Sequence, residues 1–310
     1  MKIKHLFQTI IITLVTSLLV LISSLTLNGQ STSCIAYWLK NESQTYRVHY
    51  KSGSVVNGDS LNKASIDYKV KVTVLDASDS TYILRWERKI ENLYPTGSLE
   101  LALASNTRDF DLIFVTDEFG VFVGALNQKE IRKKVFDGLN DKAIPFPNSE
   151  TKEIYKSTIE PYFNSTGLFL NQITPETQQF CCFNGIRIEK SKPIEATRQI
   201  FSSVAGALIN GNTIIELLSL DTANSTMVMH SMTTGDAEES AKVIWTQYSM
   251  QDEKFTEQFK SPKDMPPVYI TEEVTSAIHM KSGWPLFSLL TRENRIANRV
   301  FYETIELELD

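Results

Sequence analysis

Residues 301–310 read FYETIELELD, and this closing stretch decides the fold class. Ile305, Leu307 and Leu309 alternate with acidic residues, which is the period-2 pattern of a strand that buries one face. A strand that stays apolar almost to the end of the chain needs partners laid down earlier. The sequence therefore predicts that the C-terminus completes a sheet begun near the N-terminus.

The two ends of the chain carry most of the other strand signals. The stretches with strand-like alternation are 36–50, 66–74, 82–88, 110–115, 213–220 and 226–232. Ser52-Gly53 and Asn57-Gly58 are typical of turns, and the KSGWP stretch Lys281–Pro285 separates two further alternating runs. The early signals predict a meander, and the runs at 213–220 and 226–232 predict a hairpin. Residues 99–103 suggest one more strand.

The period of the apolar residues changes to a helical one in the middle section, about 127–185. Asn127–Glu130 is typical of a capping box, Ser149 opens a second helix, and Thr174-Pro175 starts a third. After a signal segment at 1–33, we expect one α+β domain over 34–310. Its sheet is predicted to be mostly antiparallel and half-barrel-like, curved over the helices of the middle third.

The first 33 residues resemble an export signal. Lys2 and Lys4 precede a charge-free run that ends at Leu27, and small residues lead to Cys34. The run also reaches the roughly 20 residues that span a bilayer, so an uncleaved anchor is the alternative. Lipidation at Cys34 is a third possibility, although Ser31 stands where a lipidation signal has an apolar residue. We expect the protein in the periplasm or on the outer surface of a Gram-negative envelope, with membrane contact only through this segment.

Charge and composition exclude several functions. The chain has 31 basic and 37 acidic residues and no basic stripe, which argues against nucleic-acid partners. No glycine-rich phosphate loop and no closely spaced histidines are present, so we predict no cofactor and no metal site. Asp109 and Asp111 share one strand face, which suits either a cation or, more simply, a solvated surface.

Three cysteines cannot all pair within one chain. Cys181 and Cys182 are adjacent and lie between Phe180 and Phe183, a setting typical of buried apolar packing. A bond from Cys34 to one of them, or a strained bond between the two neighbours, are the alternatives in an oxidising compartment.

One short stretch resembles an enzyme. Gly58–Leu61 reads GDSL, like the nucleophile block of the GDSL hydrolases, and Gly138–Asp141 reads GLND, like their oxyanion block. This resemblance implies Ser60 as nucleophile and Asn140 as an oxyanion donor. The Asp-x-x-His block of that family is missing, and the stretch after Ser60 alternates like a strand rather than a helix.

The chain as a whole resembles uncharacterised exported β-rich proteins of Bacteroidetes-type bacteria. The features that carry this resemblance are a signal ending in Asn28-Gly29-Gln30, the meander at 68–86, Asp117–Gly120 leading to Asn127, and Gly283-Trp284-Pro285 before 303–307. The resemblance implies a curved antiparallel sheet over helices, as in half-barrel carriers of the bacterial envelope. It carries no activity over to any residue.

We therefore expect a non-enzymatic exported envelope protein that carries an apolar small molecule or binds an envelope protein. Trp86 and Trp284 are the candidate aromatics of a ligand-binding face, since flat rings suit apolar ligands. The alternative is a serine esterase that uses Ser60.

Overall fold

The computed structural model describes residues 31–94, 111–138, 149–202, 204–249 and 253–310. The strands are β1 (Ser31–Ser33), β2 (Ser43–Val56), β3 (Asp59–Ala77), β4 (Thr81–Tyr94), β5 (Asp111–Asp117), β6 (Phe122–Ala125), β7 (Arg187–Glu189), β8 (Ile194–Ser202), β9 (Ala207–Asp221), β10 (Thr226–Gly235), β11 (Val268–His279), β12 (Pro285–Ile296) and β13 (Arg299–Leu309). The helices are α1 (Gln128–Gly138), α2 (Ser149–Asn164), α3 (Thr166–Ile173), α4 (Pro175–Cys181), α5 (Ala237–Ser249) and α6 (Glu253–Gln258), followed by a 3-10 turn at Pro262–Asp264.

Eleven strands of the described chain form one open antiparallel sheet in the order β6-β5-β4-β3-β2-β13-β12-β11-β10-β9-β8, and β1 pairs with β7 separately. Within the large sheet, neighbours in space are neighbours along the chain except where β13 pairs with β2. The C-terminal strand thus joins two meanders at the centre of the sheet. The predictions of an α+β fold dominated by an antiparallel sheet, and of a C-terminus that completes it, are confirmed.

One face of the sheet, called the inner face below, carries the buried side chains. On β13, Ile305 and Leu307 are fully buried, whereas Glu306 and Glu308 point to the opposite face. A large hydrophobic cluster covers the inner face from β5 to β10. A smaller cluster lies where α5 packs on β9 and β11, around Ile244.

The sheet bends strongly at its β8 edge. The hydroxyl of Ser202 in β8 donates to Oδ1 of Asn294 in β12 at 2.8 Å. Three strands lie between β8 and β12, and in a flat sheet that separation would be about 19 Å at about 4.8 Å per strand. The inner face is therefore concave at this edge.

Helix α4 lies within the protein interior, where six of its seven residues are buried. It begins at Pro175, where the missing N–H costs nothing in the first turn, and the chain turns away at Gly185 with φ +77°. The first boundary matches the prediction from Thr174-Pro175.

Helix α1 begins where the sequence predicts it, but its N-terminus is held differently. Oδ1 of Asn127 accepts from the Ile113 N–H at 2.8 Å, and its Nδ2 donates to the Asp111 carbonyl at 2.7 Å. The predicted capping interaction of the Asn127 side chain is replaced by this tie to β5.

Some predicted boundaries differ from the structure. The first long strand is β2, which begins at Ser43 and runs through Ser52-Gly53 with a shift in register instead of ending there. Residues 34–39 form a separate extended segment. The turn at Asn57-Gly58 is present, with φ of 52° and 91°. Helix α3 and strand β8 were not predicted, and the suggested strand at 99–103 lies outside the described residues.

Candidate functional site

The inner face carries a cluster of aromatic rings centred on Phe180 of α4. The ring centroids of four neighbours lie 5.5 to 5.8 Å from that of Phe180. These neighbours are Trp38 in the extended segment, Tyr46 in β2, Trp86 in β4 and Trp284 before β12. All five residues are buried. This set is called the aromatic cluster below, and it includes both tryptophans predicted for a ligand-binding face.

Local sequence explains how the extended segment closes one side of the aromatic cluster. In residues 34–39 the chain alternates, so that Ala36 and Trp38 are buried while Tyr37 and Leu39 are exposed. Gly283 packs against the backbone of this segment with φ +74°, and a Cβ there would collide with the Ile35 carbonyl oxygen. The turn at Lys281–Pro285, which the sequence indicated, therefore places the ring of Trp284 against that of Trp38, with ring centroids 5.1 Å apart.

Two polar side chains fix the parts of the aromatic cluster to the sheet. Nε1 of Trp284 donates to Oε1 of Glu42 at 2.7 Å. Nε2 of Gln179, next to Phe180, donates to the Ser288 hydroxyl oxygen and to the Ile305 carbonyl, each at 3.0 Å. Helix α4 is thereby bound to the centre of the sheet.

A buried carboxyl lies one helical turn from Phe180. Glu176 is 1 % exposed, and its carboxyl and the Tyr68 hydroxyl influence each other's pKa. The guanidinium carbon of Arg88 lies 4.3 Å from the centre of the Tyr68 ring and its charge acts on both groups. Burial outweighs these partners and raises the pKa of Glu176.

Several buried polar atoms around α4 have no hydrogen-bond partner among the described residues. On the sheet side they are Nε1 of Trp38, the hydroxyl of Tyr46 and Nε1 of Trp86; on α4 they are Oε1 of Glu176 and Oε1 of Gln179. Buried polar atoms are paired in most folded proteins, so this group of unpaired atoms is unusual for a packed interior. The apolar side chains of α4 and the sheet are thus well packed, whereas several of their buried polar atoms have no hydrogen-bond partner.

A row of polar side chains crosses the inner face beside the large hydrophobic cluster. Thr213, Thr233, Glu272, Arg292 and Glu303 lie opposite one another on five successive strands, β9 to β13. All except Glu303 are buried residues. This set is called the polar row below. The large hydrophobic cluster and the smaller one beneath α5 lie on either side of it.

Arg292 connects the polar row to helix α3. Its Nε donates to Oε2 of Glu272 at 2.6 Å, Nη1 to Glu303 at 3.2 Å, and Nη2 to Oδ1 of Asn171 at 2.8 Å. Arg198 of β8 donates to the other oxygen of Glu272 and, at 2.7 Å, to the Thr233 hydroxyl. Most hydrogen-bonding groups of these arginine and glutamate side chains already have partners within the protein. Such a network suits a structural role better than a catalytic one.

The charges in this network stabilise one another. Burial opposes ionisation of Glu272, but the guanidinium groups of Arg292 and Arg198 outweigh it and hold the pKa of its carboxyl below the ordinary value. Burial also opposes the charge of Arg292, and the Glu272 and Glu303 carboxylates more than compensate, so its pKa is raised. Glu272 and Arg292 are therefore both charged in the folded protein.

All three cysteines are free thiols. Burial raises the pKa of Cys34 to about 12 and raises the pKa values of Cys181 and Cys182 as well. The Cys34 thiol donates to Oδ1 of Asn184 at 3.4 Å. Thiolates are disfavoured here, which agrees with the apolar packing predicted for Cys181 and Cys182.

The structure places Ser60 at an exposed position in β3, directly after the Asn57-Gly58 turn and opposite Val55 of β2. The ring of His49 hydrogen-bonds Asp67 on the same strand pair, about 20 Å along β2 from Val55 at about 3.3 Å per residue. His230 and His279 lie in β10 and β11, at least four strands from β3. No histidine of the described chain approaches Ser60, and Asn140 lies outside the described residues.

The candidate carboxylates and histidines do not come together as metal ligands in the described part of the chain. In the parts of the chain that the structure describes, no group of three His, Cys, Asp or Glu side chains is arranged to hold a metal ion. Asp111 is exposed at the start of β5, and Asp109 lies outside the described residues. His230 instead bonds Oε1 of Glu273 at 2.9 Å on the outer face.

Sequence reasoning missed the polar row, Glu176 and the central position of Phe180. The sequence signal for the polar row was the alternation of β11, β12 and β13. In that alternation Glu272, Arg292 and Glu303 stand at positions whose side chains face inward. No known family model matches the chain, and no curated protein matches it either. No helix among the described residues is long and apolar enough to cross a membrane.

Proposed function

We propose that the protein is a non-enzymatic binding protein of the bacterial envelope that holds an apolar ligand on the inner face of a half-barrel-like sheet. The observation that carries the proposal is the aromatic cluster. Four rings from separate parts of the chain surround the ring of Phe180 on the inner face, and aromatic side chains commonly line sites for apolar molecules.

The chemistry of the described side chains supports binding rather than catalysis. Ser60 is exposed and far from any described histidine, the Glu272 carboxylate is engaged by two arginines, and burial keeps the thiols protonated. Nucleophilic catalysis needs an activated nucleophile, and neither Ser60 nor the three thiols meet that requirement.

Export to the periplasm or outer surface is proposed from the sequence of residues 1–33. The partners proposed are an apolar small molecule or an envelope protein, and the acidic net charge of −6 argues against nucleic acid. The long N-terminal apolar run would provide the membrane contact if it is retained.

The test is to isolate the full-length protein from its host without detergent, extract it with organic solvent, and identify the released molecules by mass spectrometry. We expect a saturable amount of an apolar compound, close to one molecule per chain. A matched exported protein purified in parallel controls for carry-over. Recovery of no apolar compound above that control, together with no saturable binding of an apolar fluorescent probe, would overturn the proposal.

A further inference from the structure

Exposed apolar side chains concentrate on one part of the protein surface. Among the residues that the structure describes, eleven large apolar side chains are exposed, and six of these lie in two short stretches. Soluble proteins rarely collect exposed apolar side chains in one place unless that surface contacts a partner or a membrane. The set, called the apolar end below, consists of Tyr37, Leu39, Phe119, Val121, Val123 and Leu126.

Backbone contacts hold the two stretches of the apolar end side by side. The Ala36 N–H donates to the Phe119 carbonyl at 3.0 Å, which lays the extended segment against the turn that leads into β6. Tyr37 and Leu39 point away from the core, because they alternate with the buried Ala36 and Trp38. The apolar end is therefore formed jointly by the extended segment and the β5–β6 hairpin.

The N-terminal apolar run joins the fold beside the apolar end. Strand β1 pairs with β7 and continues directly into the extended segment. Only Asn28-Gly29-Gln30 stand between Leu27, where the charge-free run ends, and the start of β1 at Ser31. The four residue steps from Leu27 to Ser31 span at most about 14 Å when fully extended. If the run lies in a bilayer, β1 and the segment after it must therefore lie at the bilayer surface.

Two observations favour retention of this run over the alternatives of cleavage at Cys34 and lipidation. Strand β1 precedes Cys34, so cleavage there would remove a strand that pairs with β7 at three residues. Cys34 is 1 % exposed, and its thiol donates to Oδ1 of Asn184. A lipid chain on that sulfur would have to enter the protein interior.

We propose that residues 6–27 are retained as a membrane anchor and that the apolar end rests on the bilayer beside this anchor. The inference rests on the envelope location within the proposed function and is independent of the apolar ligand. Acyl chains accept the aliphatic side chains, and Tyr37 suits the headgroup level because its ring is apolar and its hydroxyl polar. Lys2 and Lys4 favour a cytoplasmic start of the chain, which places the folded part in the periplasm.

The experiment uses the full chain, residues 1–310, reconstituted in phosphatidylcholine vesicles. Leu39→Cys and, as the matched control, Tyr269→Cys are labelled with an environment-sensitive fluorophore; the unmodified chain gives the background from the native thiols. Leu39 is 73 % exposed and Tyr269 56 %. Tyr269 lies about 33 Å along β11 from His279, which adjoins the turn that holds the extended segment.

We expect lipid with a nitroxide on its acyl chain to quench the label at position 39 and to leave the label at position 269 unquenched. The emission at position 39 should also shift to shorter wavelength when the chain enters vesicles. The mass of the intact chain from host membranes should include residues 1–30.

A second measurement separates the apolar end from the anchor. Adding Tyr37→Ser and Val123→Ser to the chain labelled at position 39 should weaken the quenching, while the chain stays in the vesicles. Adding Leu61→Ser, an exposed apolar residue of β3 outside the apolar end, should leave the quenching unchanged. Circular dichroism confirms that each variant is folded.

A host protein that begins after residue 30 would overturn the inference, as would equal quenching at both positions or none at position 39. A short-wavelength emission at position 39 in lipid-free detergent, together with a dimeric mass, would assign the apolar end to a second copy of the chain instead. None of these outcomes touches the ligand of the inner face, which solvent extraction tests separately.

Discussion

Glu272 and Arg292 lie directly opposite each other on β11 and β12, and Nε of Arg292 donates to Oε2 of Glu272 at 2.6 Å. Both side chains are buried on the inner face. A buried ion pair adds little net stability compared with apolar residues, but removing one partner leaves the other charge buried without compensation. The pair therefore fixes the register of β11 and β12 and ties α3 to the sheet through Asn171.

The first prediction is that Arg292→Met destabilises the protein by about 3–5 kcal/mol. The substitution removes the cation shared by Glu272 and Glu303, while its apolar part still fits the space. Urea unfolding measures the loss. Arg295→Met on the same strand is the control, since Arg295 is exposed and its contact with Glu293 is 3.5 Å long; it should change stability by no more than about 0.5 kcal/mol. Equal effects of the two substitutions would contradict a special role for the pair.

The fold was largely predictable because its signals are local. Ile305 and Leu307 show the alternation of β13 within a few residues, and Thr174-Pro175 shows the start of α4. Strand β8 was missed because Arg198 and Ala196 occupy its inward positions, so it lacks the apolar alternation of its neighbours.

The candidate site was less predictable because it depends on register between distant segments. The polar row requires five strands from residue 213 to residue 303 to be aligned within one residue, and a shift of one would turn every side chain to the other face. Trp38 and Trp284 come together only through the fold. Trp86 and Trp284 were chosen for their chemistry, but nothing in their local sequence pointed to Phe180.

The second prediction concerns pH. The pKa of Glu176 is raised above its ordinary 4.5, so its contribution to stability is complete below the unfolded-state pKa and is lost as pH rises through the folded value. Glu272 has a lowered pKa, so its contribution is present above the ordinary value and is lost as pH falls through the folded value. Glu176→Gln should therefore remove the loss on the alkaline side and keep the loss on the acid side.

Unfolding midpoints in urea across acidic to neutral pH measure this difference. Glu153→Gln on the exposed side of α2 is a suitable control and should leave the pH profile as it is. A Glu176→Gln profile parallel to that of the unmodified protein would mean that Glu176 titrates in the same way in the folded and unfolded chains.

The third prediction tests the turn after α4. Gly185 has φ +77°, and a Cβ there would lie 2.6 Å from Cγ2 of Val121. Gly185→Ala should destabilise the protein by about 1–3 kcal/mol, from the unfavourable backbone conformation and the collision. Gly124→Ala is the matched control, because nothing lies within 4 Å of its Cβ position and its φ is not positive. Thermal unfolding of both variants gives the comparison.

The fourth prediction concerns the esterase alternative. Because Ser60 is exposed in β3 without a described histidine near it, its hydroxyl is not activated. A fluorophosphonate probe should not label the protein above the level of Ser60→Ala, and both proteins should unfold at the same urea concentration. Labelling that disappears in Ser60→Ala would instead show a reactive serine.

The fifth prediction concerns the C-terminal strand. Removal of residues 304–310 takes away the part of β13 that pairs with both β2 and β12, and with it the buried side chains of Ile305 and Leu307. Two strands at the centre of the sheet would then have unpaired edges, and Gln179 would lose the Ile305 carbonyl. We expect the truncated chain to be insoluble or to lack a cooperative unfolding transition.

Leu307→Asp should have nearly the same effect. It should lower the free energy of unfolding by more than about 4 kcal/mol, because it buries an unpaired charge, whereas Glu308→Ala on the exposed face should unfold like the unmodified protein. A folded, cooperative protein without residues 304–310 would show that the two meanders are stable without the strand that joins them.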